Sequence, residues 1–168
     1  HSSHCDAAVG DRTVRCSFRG KLRRENADVR GGDFVSLLEK GDDLRIERVL
    51  PRKNVLIRPM VANVDQVFVV TAITKPPLDL VYLDRLLVHL ESQGIGGAVC
   101  VNKKDVEDPA EVARVLQIYT QAGYTAVTTS AVSGDGLDAM VAAMQGKAVV
   151  LAGSSGVGKS KILSAILN

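Results

Sequence analysis

The order of two short motifs limits what this chain can fold into: Asn102-Lys103-Lys104-Asp105 comes before Gly153-Ser154-Ser155-Gly156-Val157-Gly158-Lys159-Ser160. The second is a complete G-x-x-x-x-G-K-[ST] phosphate loop. Its flanks fit that reading. Lys147-Ala148-Val149-Val150-Leu151-Ala152 reads as a buried parallel strand, apolar on both faces. From Lys159 to Leu167 the spacing is helical, with Ile162, Leu163 and Ile166 assigned to one side. Glycine at 153, 156 and 158 lets successive N–H groups turn inward on phosphate oxygens. The helix N-terminus behind them adds positive potential. Lys159 then reaches the β- and γ-phosphates, Ser160 ligates Mg²⁺ through its hydroxyl, and Lys161 completes the set. The plain alternative is an ordinary Gly/Ser turn.

The first motif follows Gly97-Ala98-Val99-Cys100-Val101, a short apolar run. It therefore sits at the C-terminal end of a strand, where open α/β sheets bind ligands. N-K-x-D is the residue set that reads guanine in GTPases. Asp105 can accept two hydrogen bonds from the guanine N1–H and 2-amino group. Adenine lacks that donor pair and would leave the carboxylate unpaired. Asn102 is expected to contact the base edge and tether the phosphate loop, while the stem of Lys103 lies along the base plane. Lys104 fills the variable position. A charged turn leading to Pro109 is the simpler account of the same four residues. Between the two motifs, Ala126-Val127-Thr128-Thr129 is a β-branched run ending at Ser130-Ala131. Ser130-Ala131 matches the short S-A element whose backbone N–H meets the guanine O6, although a Ser/Gly loop capping a helix at Leu137 would look the same. In GTPases the base motif normally follows the phosphate loop. A nucleotide site is assembled in space, so the reversed order suggests a circularly permuted GTPase.

The rest of the second half supplies a scaffold. Strands are expected near 67–72, 98–102, 126–129 and 148–152. One helix is expected from Asp79, its cap, to Gln93, with Leu83, Leu86, Leu87 and Leu90 inward. Another runs from Pro109 to Gln121, with Val112, Val115, Leu116 and Tyr119 inward. Strands alternating with helices predict a parallel, doubly wound sheet. Earlier residues read differently. Val14–Phe18, Phe34–Leu38 and Leu44–Val49 are short strand-like runs, punctuated by Gly31-Gly32, Lys40-Gly41-Asp42-Asp43 and Pro51. The expectation is an N-terminal all-β barrel over residues 1–60, antiparallel and of OB type, followed by an α/β P-loop GTPase domain over 61–168.

Charge is uneven. Residues 1–63 carry thirteen Lys/Arg against nine Asp/Glu, and residues 64–168 carry eight against ten. Lys21, Arg23, Arg24, Arg45, Arg48, Arg52 and Lys53 could form a phosphate-binding face for RNA. A solvated surface explains the charges equally well, because only Phe18 and Phe34 offer aromatic stacking there. No apolar run is long enough to span a membrane, and no signal peptide is evident. Cys5, Cys16 and Cys100 lack metal spacing and suit a reducing cytoplasm. His1-Ser2-Ser3-His4-Cys5 reads as an expression remnant or a stray N-terminal stretch more readily than as a metal chelate.

The stretch from Leu50 to Gln66, LPRKNVLIRPMVANVDQ, resembles the junction of the ribosome small-subunit-dependent GTPase A family (RsgA/YjeQ-type). Arg19-Gly20-Lys21-Leu22-Arg23 and Gly32-Asp33-Phe34-Val35 resemble that family's barrel, and the likeness runs from about residue 12 onward. The resemblance implies a GTPase that hydrolyses GTP to GDP and phosphate when stimulated by the small (30S) ribosomal subunit. It also implies action late in that subunit's maturation, contact with rRNA, a cytoplasmic location and a monomeric full-length protein. It implies Mg²⁺ with GTP or GDP, and Zn²⁺ in a C-terminal domain. By the resemblance, Asn102, Lys103 and Asp105 hold guanine, and Gly153 to Ser160 hold the phosphates. The family's switch segments, D-x-x-G element and Cys/His cluster are expected to follow Asn168, so no catalytic group is assigned. The chain is expected to be a C-terminally incomplete piece that binds nucleotide weakly and hydrolyses little, with strand 148–152 left as a sheet edge. Two further readings stay open: a P-loop ATPase or kinase with a chance N-K-x-D, and a non-catalytic RNA-binding module with a vestigial nucleotide site.

Overall fold

Period-two alternation in the first third and apolar runs punctuated by helices in the rest give two compact units, His1–Asn63 and Val64–Asn168. A computed structural model describes residues 4–18, 28–41 and 43–167. His1 to Ser3, the Arg19–Arg24 stretch, Asp42 and Asn168, all singled out above, lie outside the described residues.

In the first unit, β1 (His4–Val9), β2 (Arg12–Phe18), β3 (Val35–Lys40) and β4 (Asp43–Val49) form one sheet in the order β1-β2-β4-β3. The β1/β2 and β3/β4 pairs are antiparallel, whereas β2 and β4 run parallel through Ser17↔Arg45 and Phe18↔Ile46. A purely antiparallel barrel is therefore not what the described strands make. Two tight hairpins are each local, but the long connection between them lets β4, not β3, reach the edge of β2. His4 and Cys5 open β1, with Cys5 directly opposite the buried Cys16. Strands β5 (Val55–Leu56) and β6 (Val61–Ala62) form a separate two-residue ladder.

The junction stretch is held by polar contacts within this unit. Arg52 donates from Nε and Nη2 to the two carboxylate oxygens of Asp33, at 2.6 and 2.8 Å, while the Arg30 N–H donates to the same carboxylate. Asn63 is buried and left-handed (φ 57°). It donates from Nδ2 to the Gly32 carbonyl at 2.8 Å and accepts from the Lys53 N–H at 2.9 Å. These bonds carry the first unit through Asn63, slightly past the boundary read from sequence. Among the described residues singled out above for their charge, two arginines have acidic partners. Arg52 is engaged by Asp33 and Arg45 pairs with Asp43 at 3.2 Å; a bulge between Ile46 and Arg48 leaves Arg45 and Arg48, opposite Leu38 and Ser36, on the same face of β4.

In the second unit, β7 (Gln66–Thr71) is followed by α1 (Leu80–Ser92), β8 (Gly96–Val101), α2 (Pro109–Gln121), β9 (Thr125–Thr128), α3 (Leu137–Met144), β10 (Val149–Ala152) and α4 (Lys159–Leu167). The sheet is parallel throughout, ordered β10-β7-β8-β9, which leaves β10 as an outer strand. Asp65 sets the β10 register: its carboxylate accepts from the Ala148 N–H at 2.7 Å, just before Val149 pairs with Gln66. Phe68, Val70, Ala98 and Cys100 share one sheet face and pack with Leu137, Met140, Val157 and Ile162. Val67, Val69, Val99 and Val101 have the opposite parity, and α1 and α2 cover that side. Helices on both faces explain why these strands read as continuous apolar runs. Burial of each such side chain contributes about 1.5–3 kcal/mol. Asp79 and Asp108 cap α1 and α2 by accepting from the N–H groups of Tyr82 and Ala110. One helix face differs from expectation: Ile162 is buried, but Leu163, a hundred degrees round α4, is half exposed.

Candidate functional site

Three loops emerge at the C-terminal end of the parallel sheet, after β8, β9 and β10, and one buried side chain joins them. Asn102 is 2% exposed. Its Nδ2 donates to the Val157 carbonyl in the phosphate loop at 2.8 Å. Its Oδ1 accepts from the Thr129 hydroxyl at 3.0 Å and from the Ala131 N–H at 3.2 Å. Thr129 in turn meets the Cys100 thiol at 3.2 Å. Burial pushes that thiol up to about 11, a shift the Thr129 contact partly offsets, so Cys100 stays a neutral donor behind the network.

The phosphate loop closes only because two residues lack a side chain. Gly153 has φ 133°, and a Cβ there would stand 2.1 Å from the Val70 carbonyl oxygen. Gly158 has φ 103°, and a Cβ there would stand 2.3 Å from Asn102 Nδ2. Val157, between Gly156 and Gly158, is buried in the core and anchors the loop to the sheet. Lys159 opens α4 and folds back over the loop, donating to the carbonyls of Gly153 at 2.9 Å and Ser154 at 2.8 Å. Its charge is thereby held over the ring of backbone groups. Ser154, Ser155, Gly156, Ser160 and Lys161 are exposed along the rim. An open cavity of about 390 Å³ runs between Ala131 and the Ser160, Lys161, Ser164 and Ala165 side of α4. The donor set of a glycine cradle, a lysine and a helix-opening serine fits a polyphosphate with Mg²⁺.

On the base side, Lys103 adopts a left-handed conformation (φ 68°), unusual for a long side chain and concentrated at functional sites. Its Nζ donates to the Lys75 carbonyl at 2.6 Å, laying its stem across the loop after β7. Lys104 turns away to pair with Asp135 at 2.6 Å. Asp105 is exposed, and with Lys104, Val112, Leu116, Thr128 and Asp135 it lines a cavity of about 420 Å³. Ser130 is fully buried, and its hydroxyl accepts from the N–H groups of Val132 and Ser133, while its own N–H goes to the Asp135 carbonyl. Both N–H groups of Ser130-Ala131 thus bond within the protein here. The sequence reading missed Thr129, Cys100 and the buried Glu107, which accepts from Ile73 and Thr74. The apolar run ending at Val101 located the loop, but nothing in its pattern marks these supporting groups.

The family model for RsgA GTPase matches residues 49–168. The chain belongs to the RsgA GTPase family. The small ribosomal subunit biogenesis GTPase RsgA of Caldanaerobacter subterraneus subsp. tengcongensis is 42% identical over 155 residues, covering 91% of this chain and 52% of that protein. The protein of the same name from Alkaliphilus metalliredigens is 40% identical over 162 residues, covering 95% and 56%. Among solved structures, YjeQ from Thermotoga maritima superposes with a TM-score of 0.86 at 34% identity, over 99% of this chain and 62% of that one. YloQ, a circularly permuted GTPase, gives 0.75 at 29% identity, over 96% and 60%. The chain thus spans about half the length of the curated RsgA relatives it matches. RsgA membership does not favour a chance N-K-x-D beside an ATP-binding loop, nor a vestigial site. Among the described residues no three His, Cys, Asp or Glu are placed to hold a metal such as the zinc implied above, and no helix is long and apolar enough to cross a membrane.

Proposed function

We propose that this chain carries the guanine-nucleotide site of a cytoplasmic GTPase that hydrolyses GTP to GDP and phosphate and serves the maturation of the small ribosomal subunit. The observation that carries the reading is Asn102, which bonds at once to the phosphate loop and to the S-A loop while opening the N-K-x-D motif. One side chain thereby sets the distance between a base-reading edge and a phosphate cradle. Asp105 accepts from the guanine N1–H and 2-amino group, and the Lys103 stem flanks the base. Ala131 N–H turns from Asn102 to the guanine O6. The backbone of Gly153 to Gly158 and Lys159 hold the phosphates, Ser160 takes Mg²⁺ through its hydroxyl, and Lys161 borders the same cavity. Mg²⁺ supplies charge neutralisation at the phosphates; positioning falls to these residues.

The strand order β1-β2-β4-β3, with a parallel β2/β4 pair, fits four strands of a Greek-key OB-type barrel, a fold that binds oligonucleotides. That supports rRNA of the small subunit as the partner of residues 1–60; residues 61–168 are read as the nucleotide domain and the whole protein as a monomer. Titration with fluorescent mant-GDP, mant-GTP and mant-ATP tests the base assignment, and phosphate release with and without small subunits tests the partner. Equal affinity for guanine and adenine nucleotides would refute it.

A further inference from the structure

Glu107 is 6% exposed, yet N-K-x-D requires no carboxylate two residues past Asp105. Its Oε1 accepts from the N–H groups of Ile73 and Thr74, each at 3.1 Å. Its Oε2 accepts from the Thr74 N–H at 3.2 Å and from the Thr74 hydroxyl at 2.8 Å. All these donors lie in the loop that follows β7. The next residue of that loop, Lys75, offers the carbonyl to which Lys103 Nζ donates. The base-motif loop and the β7 loop are therefore joined twice, at Lys103 and at Glu107, with Asp105 midway between.

Asn102 fixes the other end of the same loop through Val157, Thr129 and Ala131. Between these anchors the backbone turns through the left-handed Lys103, closed by Val106 N–H donating to the Lys103 carbonyl at 3.0 Å. Asp105 itself is exposed. An exposed carboxylate can discriminate between bases only if its backbone is held in place, since the selectivity of a polar site depends on sub-ångström placement of the acceptor. A buried carboxylate that accepts from several donors is an unusually rigid anchor, and its removal leaves two N–H groups and a hydroxyl without a partner.

We propose that Glu107 is a positioning residue for base recognition: it locks the β7 loop against the base motif and so fixes Lys103 and Asp105. The proposal rests on the guanine-nucleotide reading given above. Glu107→Leu keeps the volume and removes every acceptor. Glu107→Gln keeps one oxygen for the two N–H groups, and its amide can donate to the Thr74 hydroxyl.

The test measures affinity and dissociation rate of mant-GDP and mant-IDP on the 168-residue chain, with a thermal melt of each variant. Inosine lacks the 2-amino group, so the GDP/IDP ratio reports Asp105 placement independently of fold stability. Glu107→Leu should bind mant-GDP about tenfold more weakly and lose most of the GDP/IDP preference, while Glu107→Gln restores both to within about twofold. A Leu variant that melts cooperatively yet keeps the wild-type preference and dissociation rate would overturn the proposal. Should Glu107→Leu fail to fold, Thr74→Val removes a single donor and should speed mant-GDP release about threefold, and an unchanged rate overturns the proposal equally. If the wild-type chain shows no preference for mant-GDP over mant-ADP, the guanine reading falls first and this proposal with it.

Discussion

The side-chain amide of Asn102 donates to the main-chain carbonyl of Val157 at 2.8 Å, across fifty-five residues of sequence. Two motifs that the chain presents in reversed order are thus one physical object. Replacing Asn102 by Asp puts a carboxylate oxygen against that carbonyl, and the lost bond becomes a repulsion between buried acceptors. We expect about 1–3 kcal/mol of lost stability and at least tenfold weaker mant-GTP binding, read by thermal melting and titration. Asn102→Asp with wild-type affinity would show that the tether does not shape the site.

Gly158 makes that tether possible, because the space a Cβ would occupy is taken by the Asn102 amide. Gly158→Ala forces either the amide or the loop to move and adds strain at φ 103°. Nucleotide affinity should fall sharply while the far-ultraviolet circular dichroism stays unchanged, since the clash lies in a loop at the end of the sheet. Gly146→Ala is the control: it also has positive φ but no atom within 4 Å, so it tests strain without the clash.

Guanine preference should rest on Asp105. Asn in its place presents one donor and one acceptor, which suits the 2-oxo group of xanthine better than the 2-amino group of guanine. Titrating mant-GTP and mant-XTP against wild type and Asp105→Asn should show the preference shifting by at least about tenfold toward xanthine. Retention of guanine preference in the variant would move base recognition elsewhere, the 420 Å³ cavity beside Asp105 being the first place to look.

What the sequence makes legible follows periodicity and glycine placement. The parallel strands and α1, α2 and α4 start or end within about two residues of where apolar spacing, Asp79, Pro109 and Gly153 put them, because each is specified by local residues. Glu107, Thr129 and Cys100 were not legible as site residues. A buried carboxylate in a loop has no period, and its partners lie more than thirty residues away. The β2/β4 pairing was missed for the same reason: parallel pairing between hairpins is a non-local choice that alternation does not encode. The Arg52–Asp33 pair was equally hidden, because its two residues are nineteen positions apart and no spacing rule joins them.

That Arg52–Asp33 pair predicts an acid dependence. Burial alone would raise the Asp33 carboxyl, but the Arg52 guanidinium and the Arg30 N–H outweigh it and hold the group below its ordinary value of 3.8. A carboxyl depressed in the folded state stabilises above the unfolded value and loses that contribution as pH falls through the folded value. The difference in melting temperature between wild type and Asp33→Asn should therefore be constant from about pH 8 to 5 and shrink below the ordinary carboxylate range. A difference that stays constant down to about pH 2 would show that ionisation of Asp33 is not what the pair contributes.

The outer position of β10 makes the last prediction. Val149 and Leu151 pack against the core beneath α3 and α4, while the strand pairs with β7 on one side only. Its other row of N–H and C=O groups is a template for a further strand, and a short apolar edge of this kind associates with whatever strand is available. In a solution of this 168-residue chain alone, the available strand is a second copy. Light scattering should show association that rises with protein concentration. Val150→Lys, whose side chain has the parity opposite to Val149 and Leu151, should suppress association by placing a charge on the edge without removing a core contact. Association that is unchanged by Val150→Lys would place the contact elsewhere on the molecule, and a monomer at every concentration would mean that the β10 edge is covered in solution.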